Sequence, residues 1–292
     1  MYFRCVMGFL ALLLTIGNPR PAGAEARYET LTLSSNVFEN TRTLRILLPP
    51  GYDELENARR RYPVFYFTDG RAAWDIWAAP ATAERLWATG CLPHFILVGI
   101  DNGGSTPQST DPGRDRASEY IPYPDPSWTE NPPEPHGDRF PAFLFEEVAP
   151  LVSERFRVDP NKVGLAGASF GGAAAVYTGL KHPDRIAMLL IESPSLHIGN
   201  HQLLRDAEAA TDWPDSVYLG VGTAEGATTE IQSDMTSSVR RLDALIVRAP
   251  DHPRRALTVV DGGTHWFDAW GRRLPYALNF LLKGNCDVQP SA

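Results

Sequence analysis

The stretch Gly167-Ala168-Ser169-Phe170-Gly171-Gly172 constrains this chain more than any other. An apolar run, Val163 to Ala166, precedes it and a helix-forming run, Ala173 to Leu180, follows it, so the pattern G-x-S-x-G falls on a tight strand-to-helix turn. The serine of such a turn takes strained backbone geometry, and large flanking side chains would collide with the strand or the helix. The turn pushes the Ser169 hydroxyl outward as a candidate nucleophile. The Phe170 N–H, at the positive end of the following helix, is aimed at the oxygen of a carbonyl under attack. The same small residues also suit a turn that only packs a helix closely on a strand, so the rest of the chain has to supply the partners.

Periodicity predicts strands alternating with helices, the pattern of a mostly parallel sheet covered on both faces, an α/β class. Tyr28 to Ser34 and Thr43 to Leu48 read as a leading antiparallel pair ending at Pro49-Pro50-Gly51. Tyr62 to Thr68 and Phe95 to Ile100 are short apolar runs of the fully buried kind. Phe140 to Phe156 has apolar residues at helical spacing, and further strands are expected at Ile186 to Ile191, Val217 to Val221 and Ala256 to Val260. Glu230 to Arg248 and Asp268 to Leu282 read as helices. Residues 102–139 are rich in Pro, Gly, Asp and Ser with little periodicity and read as a long loop. Tyr120, Tyr123 and Trp128 in that loop are candidates to line a pocket, or else pack back on the body.

At the N-terminus, Arg4, the apolar run Val6 to Ile16 and the small residues Ala22-Gly23-Ala24 read as an export signal over residues 1–24, cleaved after Ala24. Its apolar core is short for a bilayer span, and no later segment reads as one. The expected mature chain, 25–292, is then a single domain of periplasmic or extracellular location. Residues 1–24 hold Arg4 and Arg20 and no acid, so the mature chain has 25 basic and 35 acidic side chains, a formal charge of −10. That charge argues against nucleic acid as a partner. Loss of Cys5 leaves Cys91 and Cys286, which an oxidising compartment allows to pair; their separation neither supports nor excludes a bond. No Cys or His cluster has metal-site spacing, and no metal or cofactor is expected.

A serine hydroxyl is a weak nucleophile until a base takes its proton, and the base needs a third group to fix its tautomer. Of the histidines after Ser169, His265 follows the last expected strand through Gly262-Gly263-Thr264, which lifts it to the carboxyl edge of the sheet. His182 sits in a helix-ending turn, His252 lies before that strand, and His197 and His201 belong to a loop after Ser193-Pro194-Ser195. The acid is assigned to Glu225, just past the strand Val217 to Val221, with Glu192, Glu230 and Asp234 as alternatives. A second oxyanion donor is expected at the N–H of Gly70 or Arg71, after the third strand, where glycine lets backbone approach substrate closely. Trp266, beside the base, is a further pocket candidate, with a core position as the alternative.

Several stretches occur together in one order: Tyr62-Pro63-Val64 leading to Asp69-Gly70, Val98 to Asn102, Arg116 with Glu119-Tyr120, Phe143 to Pro150, and Arg157 to Pro160. They continue with Gly167 to Gly172, His182-Pro183-Asp184, Ser193-Pro194-Ser195 and Gly263-Thr264-His265-Trp266. On these residues the chain resembles the "Putative esterase" family of α/β-hydrolases. That family includes esterase D, enterobactin-type siderophore esterases, feruloyl and acetyl xylan esterase domains, and mycolyltransferases. The resemblance spans nearly the whole mature chain and implies an α/β-hydrolase fold and a serine esterase acting on a small-molecule or glycan-linked ester. The Ser-Pro-Ser step and the Gly-x-His-Trp ending are nearer the siderophore-esterase branch. Two positions depart from it: Leu196-His197-Ile198 stands where those enzymes carry Trp, and Gly-Ala-Ser stands where many relatives have Gly-His-Ser. An acyltransferase using the same residues is the alternative reading, followed by a non-catalytic binding protein on the same fold.

Overall fold

The chain enters through an antiparallel ribbon, β1 (Arg27–Ser35) and β2 (Asn40–Leu48), paired from Arg27↔Leu48 to Ser35↔Asn40. The computed structural model describes residues 25–289, and the expected export signal at 1–24 lies outside the described residues. After the ribbon come β3 (Tyr62–Phe67), α1 (Gly70–Asp75), α2 (Ala79–Ala88) and β4 (Ile96–Ile100). A helix α3 (Pro112–Tyr120) follows, then α4 (Phe140–Ala142), which runs through a π-helical segment, Phe143–Val148, into α5 (Ala149–Arg155). The rest alternates: β5 (Val158–Ala168), α6 (Phe170–Lys181), β6 (Met188–Glu192), α7 (Ile198–Ala209), β7 (Ser216–Ala224), α8 (Thr229–Arg248), β8 (Arg254–Thr264) and α9 (Phe267–Leu281).

Among the described residues all eight strands join one sheet in the order β1-β2-β4-β3-β5-β6-β7-β8. Only the β1–β2 and β2–β4 pairings are antiparallel; β4 through β8 run parallel, as the alternation predicts. The central strands are apolar on both sides because both faces are covered. Val64 and Tyr66 join Ile96, Val98, Leu189, Leu219 and the helix residues Val176 and Leu242 in one core cluster. Their neighbours Phe65 and Phe67 join Leu97, Leu190, Tyr218, Leu86 and Leu274 in the other. The strand period of two sorts successive side chains between these layers.

From β3 the chain moves outward to β4 and then returns to the other side of β3 for β5, so strand order reverses between β3 and β5. The carboxyl ends of strands at such a reversal frame a crevice, and here they bring the turns at Thr68–Gly70 and Ala168–Phe170 together.

The long connection 102–139 carries more structure than its composition predicts. Its α3 starts on Asp111, whose side chain accepts from the Arg114 N–H, with Pro112 in the first turn. The helix buries only Ala117, Glu119 and Tyr120, too few apolar positions for a periodic signal. Cys91 and Cys286 are bonded, tying the α2–β4 connection to the segment after α9. Among the described residues no helix is long and apolar enough to cross a membrane.

Candidate active site

Ser169 occupies the turn between β5 and α6 with φ 56° and ψ −124°, a conformation costly for any residue with a Cβ. Three backbone hydrogen bonds hold it there: the Ser169 N–H donates to Glu192 O (3.1 Å), and Ser169 O accepts from Ala173 and Ser195 N–H (both 3.0 Å). The turn closes only because its neighbours lack side chains. A Cβ on Gly167 would lie 2.2 Å from Gly171 O, and one on Gly171 would lie 2.3 Å from Thr68 Oγ1. Ala173 is the first residue of α6 whose N–H reaches the Ser169 carbonyl, so helical geometry leaves the Phe170 N–H without an intrahelical acceptor, at the positive end of the helix.

His265 follows β8, and its Nε2 lies 2.9 Å from Ser169 Oγ. Its Nδ1 lies 3.0 Å from Glu225 Oε2. Glu225, just beyond β7, is buried, and its other oxygen, Oε1, accepts from Ser193 Oγ and from the Gly222 N–H. Ser193 in turn accepts from Trp270 Nε1 (2.9 Å), whose ring meets His265 edge-on at 5.1 Å. Thus β5, β7 and β8 each end in one of three side chains that form a continuous hydrogen-bonded run.

The alternative acids are held elsewhere. Glu192, at the end of β6, is fully buried and bonds Arg273 through Oε2 (2.9 Å to Nε, 2.6 Å to Nη2) rather than any histidine. Glu230 lies in the first turn of α8, where backbone and Thr228 hydrogen bonds hold its carboxyl below the usual range. Asp234 lies 3.6 Å from His201.

Burial raises the Glu192 carboxyl from 4.5 to about 7, against the opposing pull of Arg273. The folded chain therefore keeps a proton that the unfolded chain has released between those values. Stability from this group is present below about pH 4.5 and falls as pH rises toward 7, by on the order of 3 kcal/mol. Denaturant unfolding of wild type and Glu192→Gln from pH 5 to 8 is expected to show this slope in wild type and its flattening in the variant; equal slopes would refute the assignment.

Against the elbow lies the β3–α1 turn. Asp69, not Gly70, is the left-handed residue there (φ 53°). Gly70 is buried, and a Cβ on it would lie 2.5 Å from Gly99 C, so its missing side chain admits β4 backbone rather than substrate, a correction to the sequence expectation. The Gly70 and Arg71 N–H groups open α1, while the Arg71 side chain points to solvent, 3.8 Å from Asp75. The Asp69 carboxylate is gripped by Arg116 on both oxygens (2.6 and 2.7 Å) and by Asn102 Nδ2 (2.6 Å). Sequence reading assigned no role to Arg116 or Asn102, although both lie in the family-like stretches.

Tyr120 is not a pocket residue. It is fully buried on the inner side of α3, its hydroxyl accepts from the Asp69 N–H (3.0 Å), and its ring packs on Phe140. Burial, with Asp69 and Glu119 adding to it, holds that hydroxyl protonated. Tyr123 packs back on Tyr177 and bonds Asp206. Trp128 does reach the elbow, edge-on to Phe170 at 6.0 Å, and Trp266 is 58% exposed beside His265.

A match to the "Putative esterase" family spans residues 35–281. The chain belongs to that family. It is a carboxylic ester hydrolase. This esterase is 23% identical over 268 residues to the uncharacterized protein YbbA of Bacillus subtilis, covering 87% of this chain and 97% of the relative. It is 26% identical over 176 residues to the ferri-bacillibactin esterase BesA of the same organism, covering 56% and 60%. Among solved structures, the siderophore hydrolase EstB from Aspergillus nidulans superposes with a TM-score of 0.70 at 19% identity, covering 92% of this esterase and 98% of EstB. The fold is that of the α/β-hydrolases.

Proposed function

We propose that this esterase works through an acyl-enzyme on Ser169, with His265 as the base and Glu225 as the acid that orients it. The observation that carries the reading is the run Glu225 Oε2, His265 Nδ1, His265 Nε2, Ser169 Oγ, with steps of 3.0 and 2.9 Å. With the Nδ1 proton donated to Glu225, Nε2 accepts the Ser169 proton as Oγ attacks the ester carbon. The imidazolium then returns that proton to the leaving alkoxide. Water, activated by the same Nε2, cleaves the acyl-enzyme and regenerates the serine. The tetrahedral oxyanion is held by the Phe170 N–H and by the N–H of Gly70 or Arg71.

Trp128 and Trp266 are assigned as aromatic walls of the substrate site, which takes a small-molecule or glycan-linked ester. Export to the periplasm or beyond is part of the same proposal, supported by the pattern of residues 1–24 and by the Cys91–Cys286 disulfide.

Labelling of the intact chain with a fluorophosphonate tests the nucleophile. Peptide mapping is expected to find one adduct, on Ser169, and none after Ser169→Ala; an adduct that persists in the variant would overturn the assignment. Asp69 is expected to act through backbone, because its grip on Arg116 and Asn102 fixes the turn that presents Gly70 and Arg71. Asp69→Ala should lower kcat/KM for a p-nitrophenyl ester by about 10-fold to 100-fold, approaching the loss of one oxyanion donor. An unchanged kcat/KM would remove the second donor from this turn.

A further inference from the structure

Beneath the proposed acid lies a buried charge cluster that none of the steps above uses. Arg273, on α9, and Glu192, at the end of β6, have no solvent-exposed side-chain surface, and neither has the side chain of Glu225. Arg273 gives Nε and Nη2 to Glu192 Oε2, and the same Nη2 lies 3.9 Å from Glu225 Oε1. Space has been made for the cluster: a Cβ on Gly220, beside Glu192 in the sheet, would lie 2.2 Å from Glu192 Oε2. Two carboxylates this close in a dry interior drive one of them to take up a proton, and the cation between them limits that uptake: Arg273 pulls the Glu192 carboxyl down against burial and against the Glu225 charge.

We propose that Arg273 is a positioning residue for Glu225, and that Glu192 is the buried counter-charge that holds Arg273 in place. The inference rests on reading Glu225 as the acid of the triad. Oε1 of Glu225 faces Arg273, Ser193 and the Gly222 N–H, which leaves Oε2 for His265 alone. Glu192 pulls Arg273 toward β6 and stops the guanidinium from pairing fully with Glu225, which would strip the acid of its influence on the imidazole. A purely structural ion pair would be indifferent to the protonation of His265; this one is not, because its cation lies between Glu192 and Glu225.

The charged and titratable groups around this line are Tyr218 from β7, which burial and then the Glu192 charge keep protonated, and His197 before α7, whose imidazole interacts with that of His265. Tyr276 on α9 packs against Tyr218.

Rates of fluorophosphonate inactivation between pH 5 and 9 test the proposal without knowledge of the substrate, because the acid limb reports the imidazole that must be neutral for attack. Glu192→Gln keeps the shape and removes the anion that wild type gains as pH rises through about 7, so from there the undiluted cation disfavours the imidazolium and the upper part of the limb should move to lower pH. Glu192→Gln/Arg273→Gln removes both charges of the pair and leaves Glu225 to its hydrogen bonds with Ser193, the Gly222 N–H and His265. Its limb should move the other way, by roughly half a pH unit or more, with a plateau about tenfold lower. Thermal unfolding of both variants checks that they are folded at the assay temperature; a merely structural role would lower the unfolding temperature and the plateau without displacing the two limbs in opposite directions. A double-variant limb within about 0.2 pH unit of wild type, or displaced in the same direction as that of Glu192→Gln, would overturn the proposal. Ser169→Ala run alongside separates this failure from failure of the triad: an adduct on that variant refutes the nucleophile itself, and the positioning role with it.

Discussion

His265→Ala is expected to lower turnover of a p-nitrophenyl ester by about 10⁵-fold, Ser169→Ala by a similar factor, and the double variant no further. The reasoning is that the two side chains act as one device. Without the imidazole, Ser169 keeps its proton and attacks no faster than an ordinary alcohol; without the hydroxyl, the imidazole has nothing to deprotonate except water. What survives either change is the backbone: Phe170 N–H and the β3–α1 turn still bind a developing oxyanion, which sets a floor above the uncatalysed rate. Steady-state kinetics on all three variants, with tight-binding titration to exclude wild-type contamination, provides the measurement. Additive losses, or a loss below about tenfold for either single change, would mean that Ser169 and His265 do not share a proton.

Arg273→Met is expected to destabilise the fold by about 3–5 kcal/mol at pH 8, the usual result when one partner of a buried charge pair is removed. Methionine fills much of the arginine volume, so the loss is electrostatic rather than a cavity effect. Glu192 is left facing Glu225 with no cation between them, and Glu192 already has its carboxyl raised to about 7 by burial. Arg273 pulls that carboxyl down, so its loss raises Glu192 further; protonation then relieves the repulsion as pH falls from 8 toward 7, and the deficit should be smaller at pH 5.5 than at pH 8. Urea unfolding at pH 8 and pH 5.5 measures both the size and the trend. A loss under about 1 kcal/mol at pH 8, or a deficit that grows on acidification, would contradict the buried-pair description.

Much of this site was legible in the chain because its chemistry sits at strand ends, and strand ends are marked by composition. The small residues from Gly167 to Gly172 mark the elbow, Gly262-Gly263 lifts His265, and the apolar run ending before Gly222 points to Glu225. The sheet was legible for a similar reason, since strands buried on both faces leave unbroken apolar runs. Four helices, α1, α2, α3 and α7, were not expected from periodicity, and three of them show why. The first, α1, has six residues; α3 buries one charged and one aromatic side chain and little else; and α7 passes, just after Ile198, through three residues, Gly199 to His201, in left-handed geometry. None has the length or the stripe that periodicity detects.

Arg273 was hidden by a different cause. It lies in a helix with a strong apolar stripe, where the pair Arg272-Arg273 reads as solvent-facing, and only the tertiary packing of α9 on β6 and β7 turns Arg273 inward. Tyr120 erred the other way: an aromatic in a polar segment suggested a pocket wall, but its hydroxyl secures the Asp69 turn.

The four residues from Glu192 to Ser195 touch both the proposed nucleophile and the proposed acid. Glu192 O takes the Ser169 N–H, Ser193 Oγ steadies Glu225, and the Ser195 N–H returns to Ser169 O. The spacing between nucleophile and acid is thus referenced to one short, covalently continuous piece of backbone, and the segment 102–139 reaches the site from elsewhere, through Arg116 and Trp128. Such a division lets lineages exchange or lengthen the outer segment to follow a new ester without recalibrating the chemistry. Variation that alters preference should therefore accumulate between residues 102 and 139, and variation that alters rate should accumulate in the gauge itself.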